Sequence, residues 1–234
     1  MKKFGKKYRA VLEKFNVNEY YSLDKAVSIL PETSITKFAS SAEIHMNLSL
    51  DPKQADQNIR GTVALPHGTG KEVRVVAFVS EDKVKEAKSA GAIEAGKEEL
   101  IDKVLKGWTE FDVAIATPDV MKDLGKIAKI LGQKGLMPNP KAGTITSDIK
   151  TTVETIKKGQ IEYRNDKLCN LHNGFGKINF TKEQLLENVK AYIKAIIDAK
   201  PATVKGTYIN TITLATTMGP GIKVDVNGVL KEVK

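Results

Sequence analysis

Only one of the 234 residues is a cysteine, Cys169, so an internal disulfide is impossible. A reducing compartment, the cytoplasm, fits this usage. No run approaches the roughly 20 apolar residues that a membrane span needs. The start of the chain, Met1-Lys2-Lys3-Phe4-Gly5-Lys6-Lys7-Tyr8-Arg9, is basic with no apolar stretch behind it, so it does not read as a secretory signal. Histidine is scarce: His45, His67 and His172 are widely spaced and form no zinc-ligand pattern, so no metal site is expected. Cys169 lies close to His172 in sequence, but that nearness in a loop specifies no nucleophile–base geometry. No Gly-x-Gly-x-x-Gly follows any apolar run. Gly70-Lys71 has the look of a P-loop end, but Leu65 stands where the motif needs glycine and Glu72 where it needs Ser or Thr. Neither catalysis nor a cofactor is expected.

What is present is positive charge. The formal net charge is +9 and the isoelectric point about 9.4, while 41% of residues are apolar. A core is therefore available, and the excess charge favours a polyanion or an anionic membrane surface as partner. Without any apolar span, the membrane reading rests on charge alone. Basic residues exceed acidic ones by only two over residues 68–159 and by seven over the remainder.

The chain changes texture twice. Residues 2–9 carry five basic groups with Phe4 and Tyr8 interleaved, as in an RNA-touching arm or a solvated terminus. Helices are predicted from about Tyr8 to Phe15 and from Leu23 to Leu30, the second capped by Ser22 and ended by Pro31. Over Ala42–Leu50, Ala42, Ile44, Met46, Leu48 and Leu50 alternate with Glu43, His45, Asn47 and Ser49, the pattern of a strand with one buried and one polar face. Lys37-Phe38 stands just before it. A lone Phe is usually core, but one beside a lysine at a strand entrance can stack on a base.

From Val73 the pattern becomes continuous apolar runs, Val73–Val79 and Phe111–Thr117, alternating with helical segments Glu81–Ala90, Lys97–Leu105, Pro118–Ile130 and Asp148–Lys158, with a short strand near Ala92–Ala95. This predicts a small parallel sheet between helices, Rossmann-like but without phosphate-cradling glycines. Residues 131–147, dense in Gly, Pro and Lys, read as a contact surface or a packed connection.

After Gly159 the first texture returns. Gln160–Asn165 alternates, His172–Lys177 is glycine-rich and leads into Ile178-Asn179-Phe180, and Thr181–Gln184 caps a long amphipathic helix. A β-prone run, Thr207–Leu214, breaks into Ala215-Thr216-Thr217-Met218-Gly219-Pro220-Gly221, followed by a strand at Ile222–Val226. Glycine and proline there predict a rigid turn, either presenting backbone groups, hydroxyls and Met218 to a ligand or serving as an ordinary loop. Residues 1–67 and 160–234 each read as incomplete and 68–159 as complete. The predicted fold is α/β: a discontinuous α+β domain with an inserted Rossmann-like three-layer domain, crossing at Pro66, His67, Gly68 and at Lys158, Gly159, where a hinge is possible.

Lys37-Phe38, Asp51-Pro52-Lys53, Asp56–Gly61, Leu65–Lys71, Thr117–Met121, Gly135–Thr144, Arg164–Lys167 and Thr216–Pro220 together resemble, nearly end to end, the bacterial form of the ribosomal protein L-one family. The resemblance implies a structural protein that binds the mobile rRNA stalk beside the exit site of the large subunit, without enzymatic activity. It implies help in releasing deacylated tRNA, and repression of its own operon through the mRNA. Carried over by motif, the RNA site comprises Lys37, Phe38, Ser41, Glu43, His45, Arg164, Asp166, Lys167, His172, Gly176, Lys177, Thr216, Thr217, Met218 and Gly219. Ser41 stands where many relatives have Thr, which keeps the hydroxyl. Off the ribosome a monomer is expected. The alternative left by composition is a basic RNA chaperone with no fixed target.

Overall fold

The computed structural model describes residues 4–233, and Lys2 and Lys3 of the predicted basic arm lie outside the described residues. The chain separates into two compact units, Met1–Gly70 with Ile161–Lys234, and Lys71–Gln160. Both crossings fall slightly later than the boundaries read from sequence. The first has a visible cause. Leu65 is buried, the His67 N–H donates to Asn188 Oδ1 at 3.0 Å, and Asn188 Nδ2 donates to the Gly68 carbonyl at 2.9 Å. His67 Nε2 lies 2.7 Å from Glu187 Oε2. Pro66, His67 and Gly68 are thus stapled to a long helix, and the chain leaves the unit only after Gly70. Lys158 and Gly159 close the last helix of the inserted unit, the Gly159 N–H bonding to Ile156 at 3.1 Å.

The discontinuous unit is built on a five-stranded sheet: β1 (Tyr20–Tyr21), β10 (Ile222–Val224), β9 (Ile209–Thr216), β2 (Ser41–Leu48) and β8 (Asn170–Lys177), in that order. The first pair is parallel and the rest are antiparallel. Interior strand β2 follows its sequence alternation: Ala42, Ile44, Met46 and Leu48 are buried and Ser41, Glu43, His45 and Asn47 are half-buried. The apolar face lies under α2 (Leu23–Ile29), α8 (Lys182–Asp198) and α9 (Val226–Val233). Leu23, Val27, Leu185, Val189, Tyr192, Ile193 and Ile196 complete its core, each large side chain stabilising by roughly 1.5–3 kcal/mol. Thr181 and Gln184 form the capping box of α8. Ser22 occupies the N-cap of α2 without a side-chain cap bond, and the chain continues past Ile29 as a 3₁₀ turn, Leu30–Thr33, rather than stopping at Pro31. The first helix, α1 (Lys6–Leu12), begins earlier than its apolar residues suggest. Just before Leu65, β3 (Arg60–Ala64) pairs with β7 (Gln160–Arg164) in a separate two-stranded sheet.

The inserted unit has a three-stranded parallel sheet. Its centre is β4 (Val75–Phe78), between β5 (Glu94–Gly96) and β6 (Val113–Ala116). All four residues of β4 are buried. Val75, Ala77 and Val79 pack with α3 (Glu81–Ser89) and α7 (Ile149–Lys157) on one face, and Val76 and Phe78 pack with α4 (Glu98–Leu105) and the 118–133 segment on the other. That segment is not one helix. It runs as 3₁₀ turns around α5 (Met121–Leu124) and ends in α6 (Ala128–Gln133), with Gly125 at the break, where glycine disfavours helix. The 131–147 stretch is a packed connection over its second half. Asn139 Oδ1 accepts from the Lys141 N–H at 2.8 Å, the Asn139 N–H donates to Thr144 Oγ1 at 2.7 Å, and Ile145 bridges Ala116 of β6 in parallel.

Candidate nucleic-acid interface

The helix-free face of the five-stranded sheet is polar because β2 alternates. From Ser41 to Asn47 it is about 20 Å long at the usual strand rise. The sequence-predicted residues fall along it in three groups.

At one end stands the turn after β9. Thr216 is only 2% exposed. The Thr33 hydroxyl donates to the Leu30 carbonyl at 2.7 Å, so Thr216 donates to Thr33 across 3.2 Å. Its hydroxyl faces inward and supports the turn. The Thr217 hydroxyl accepts from the Ser41 N–H at 3.0 Å and donates to Glu43 Oε1 at 3.4 Å. Lys177 Nζ donates to Ser41 Oγ at 2.9 Å. Met218 adopts a left-handed φ of 63° with its side chain 73% exposed, and the Gly219 N–H closes the turn on Thr216 at 2.8 Å. A Cβ on Gly219 would collide with Thr216 Oγ1 and lie 2.9 Å from the Thr33 carbonyl, so only glycine fits. Phe38 is 61% exposed beside exposed Lys37, on a loop held by hydroxyls: Thr36 Oγ1 to Ser40 Oγ at 2.6 Å and Ser34 Oγ to Ser40 Oγ at 2.9 Å. Exposure favours the surface reading of Phe38 over the core one. Gly176 is buried, and a Cβ there would meet Leu185 at 2.8 Å. It lets β8 approach the core and offers only backbone to a ligand.

In the middle, His45 and His172 are direct cross-strand partners, their Nδ1 atoms 2.9 Å apart. Burial, then the His172 charge, lowers the His45 pKa against a smaller upward pull from Glu43. A neutral imidazole is therefore the resting state there, and protonation costs stability as the pH falls below the ordinary value of 6.5.

At the far end the Arg164–Lys167 turn has a division of labour. Arg164 and Lys167 are exposed. Asp166 Oδ1 accepts from the N–H groups of Asn170 at 2.7 Å and Leu168 at 2.8 Å, which hold its pKa below the ordinary carboxylate value. It organises the turn, and a direct contact with phosphate would oppose like charges. Cys169 is buried with its Sγ 3.3 Å from the Leu50 carbonyl and its pKa raised, first by burial, which makes it a poor nucleophile.

The fold adds residues that sequence reading passed over. Asn47 donates to Asn170 Oδ1 at 2.8 Å and accepts from Asn210 at 2.9 Å on the same face, and Thr211 and Thr213 lie beside Asn47 and His45 in register. The polar phase of the β2 alternation was the available signal for Asn47. Nothing local marks Thr33 and Ser40, which act through contacts far along the chain.

Comparison with known proteins agrees with this architecture. The model of the Ribosomal protein L1p/L10e family matches residues 30–220. A large ribosomal subunit protein uL1 from Lactobacillus delbrueckii subsp. bulgaricus is 49% identical over 225 residues, covering 96% of this chain and 97% of that protein. A protein of the same name from Thermus thermophilus is 47% identical over 226 residues, 96% of this chain and 99% of its own length. With a family model across most of its length and full-length relatives near half identity, the chain belongs to the ribosomal protein L1p/L10e family.

Proposed function

We propose that this chain is a structural, rRNA-binding protein of the large ribosomal subunit, which seats the mobile rRNA stalk on the open face of its five-stranded sheet. The observation that carries the reading is the turn Thr216–Gly219. It presents an exposed Met218 on a locked backbone, beside the linked Thr217, Ser41, Glu43 and Lys177 groups. Hydroxyls, backbone groups and one carboxylate acceptor suit 2′-hydroxyls and sugar edges, the features that mark RNA. Lys37, Arg164, Lys167 and Lys177 supply phosphate contacts, which give affinity and salt dependence but little choice of sequence. Selection then rests on RNA shape. Phe38 and Met218 add apolar surface for an unstacked base or a sugar face. Direct contact falls to Lys37, Phe38, Ser41, Glu43, His45, Arg164, Lys167, His172, Lys177, Thr217, Met218 and Gly219. Thr216, Asp166 and Gly176 support them.

The finer roles follow from the same face. An mRNA segment folded like the stalk would occupy it and shut off translation of the operon. Movement of the stalk with this protein attached would carry deacylated tRNA out of the exit site. The protein acts on the cytoplasmic ribosome and is a monomer away from it.

The test is equilibrium binding to a stalk rRNA fragment and to a plain duplex of equal length, across a salt series. A strong stalk preference that survives moderate salt is expected. Equal affinity for both RNAs, falling steeply with salt, would replace this reading with that of a basic chaperone without a fixed target.

A further inference from the structure

We propose that His45 and His172 form a two-histidine site for one divalent transition metal ion of the zinc, nickel and copper class. The histidines are far apart in sequence and face each other directly across β2 and β8. Their Nδ1 atoms stand 2.9 Å apart, with the rings tilted by 58°. One proton shared between the two nitrogens accounts for this geometry. A metal ion can take the place of that proton. Two imidazole nitrogens on a tetrahedral zinc lie about 3.3 Å apart, given Zn–N bonds of about 2.0–2.1 Å. A small rotation of either ring supplies the difference.

The other nitrogen of each ring has the environment of a metal-bound histidine. His45 Nε2 lies 3.7 Å from Glu43 Oε2, and His172 Nε2 lies 3.7 Å from Asp166 Oδ2. At 3.7 Å each carboxylate acts on the far nitrogen by charge and not by a direct hydrogen bond. The ring rotation that admits a metal can close that gap, fixing the tautomer and raising the basicity of the near nitrogen. Glu43 shares β2 with His45, and Asp166 lies in the turn that leads into β8 and His172. The Glu43 carboxylate is positioned within its own strand, and that of Asp166 by the N–H groups of Leu168 and Asn170. Imidazole suits zinc, nickel and copper and suits magnesium and calcium poorly, which sets the metal class. Among the described residues no group of three or more His, Cys, Asp or Glu side chains is arranged around one point. The ion is therefore held by two protein ligands, with water in its remaining positions. The His side chains are 33% and 54% exposed, which leaves room for that water. Such a site is exchangeable rather than structural. It is independent of the RNA reading, since it needs only the free protein.

The test is titration of Zn²⁺ into the chelator-treated full chain near pH 7.5, followed by calorimetry and by NMR of the histidine ring protons. One equivalent is expected to bind, shifting the rings of His45 and His172 and leaving His67 in place. His45→Gln and His172→Gln should each weaken binding at least tenfold, and His67→Gln should leave it unchanged. The wild-type ring signals decide the matter even if one variant folds poorly. Absence of saturable binding below millimolar zinc would overturn the proposal. So would binding that survives both substitutions, or a shift centred on His67.

Discussion

The two sheets of this molecule solve the same burial problem in opposite ways. In the inserted unit the strands are short, parallel and apolar on both sides, and helices cover both faces. In the discontinuous unit the strands alternate, and helices cover one face only. The first arrangement leaves no sheet surface for a ligand. The second leaves a strip of hydroxyls, amides, imidazoles and one carboxylate on a rigid support. The excess positive charge sits in the unit with the open sheet as well. An α/β sheet of Rossmann type is thus present but lacks the glycine-lined phosphate site, while the unit without a nucleotide-binding pattern carries the candidate surface.

That contrast can be broken most sharply at Gly219. Gly219→Ala places a methyl group against Thr216 and the Thr33 carbonyl, so the turn must open. A loss of roughly 2–3 kcal/mol in the stability of the discontinuous unit is expected, with stalk affinity falling more than tenfold. Thermal unfolding and equilibrium RNA binding check the two effects. Thr217→Val keeps the shape but removes the acceptor of the Ser41 N–H. It should weaken stalk binding by about 1–3 kcal/mol while the unfolding midpoint moves little. Unchanged affinity would remove Thr217 from the interface.

On the other side of the comparison, Asp112 joins Lys71 Nζ at 2.7 Å and Arg74 Nε at 3.1 Å within the inserted unit. Burial pushes its pKa up, but the bonds from Lys71 and from the Arg74 N–H and side chain outweigh it and hold the value at about 2, below the ordinary 3.8. Its stabilisation is present above about pH 4 and is lost as the pH falls through about 2. Because both cations are more than half exposed, the contribution is about 1 kcal/mol. Asp112→Asn should lower stability by that amount at pH 7 and by almost nothing at pH 2, as read by denaturant unfolding, without changing RNA affinity. The smallest effect is expected at Gly125. A Cβ there meets nothing within 4 Å, and its φ of −51° suits any residue. Gly125→Ala should stabilise the inserted unit by about 0.5–1 kcal/mol. The same substitution then has opposite signs in the two units.

What could be read from the sequence followed periodicity. The alternation of Ala42–Leu48 gave both the strand and its two faces, and the apolar runs at Val73 and Phe111 gave a sheet buried on both sides. The strand β8 was obscured because Gly174 and Gly176 carry no side chain to show a pattern, although they sit opposite Glu43 and Ala42. Helix α9 was missed because Val226-Asn227-Gly228 reads as a strand end followed by a turn. The expected single helix Pro118–Ile130 is instead a broken series reaching Gln133, because the apolar spacing continues through Gly125 while regular α-helix does not. At the candidate site, adjacent threonines look alike in sequence. Only long-range contacts separate them: Thr216 turns inward to Thr33, and Thr217 turns outward to Ser41.

The strand order also bears on how the chain comes off the ribosome. β2 pairs with β8 and β9, whose last residue is Thr216. At ordinary synthesis rates that residue is added roughly 10–30 s after Leu48. For that interval the apolar stripe Ala42, Ile44, Met46 and Leu48 has no sheet to join. The inserted unit, contiguous in sequence, has everything it needs to fold first. The order of synthesis therefore supplies the middle of the chain with its own partners before the strand Ser41–Leu48 has any of its own.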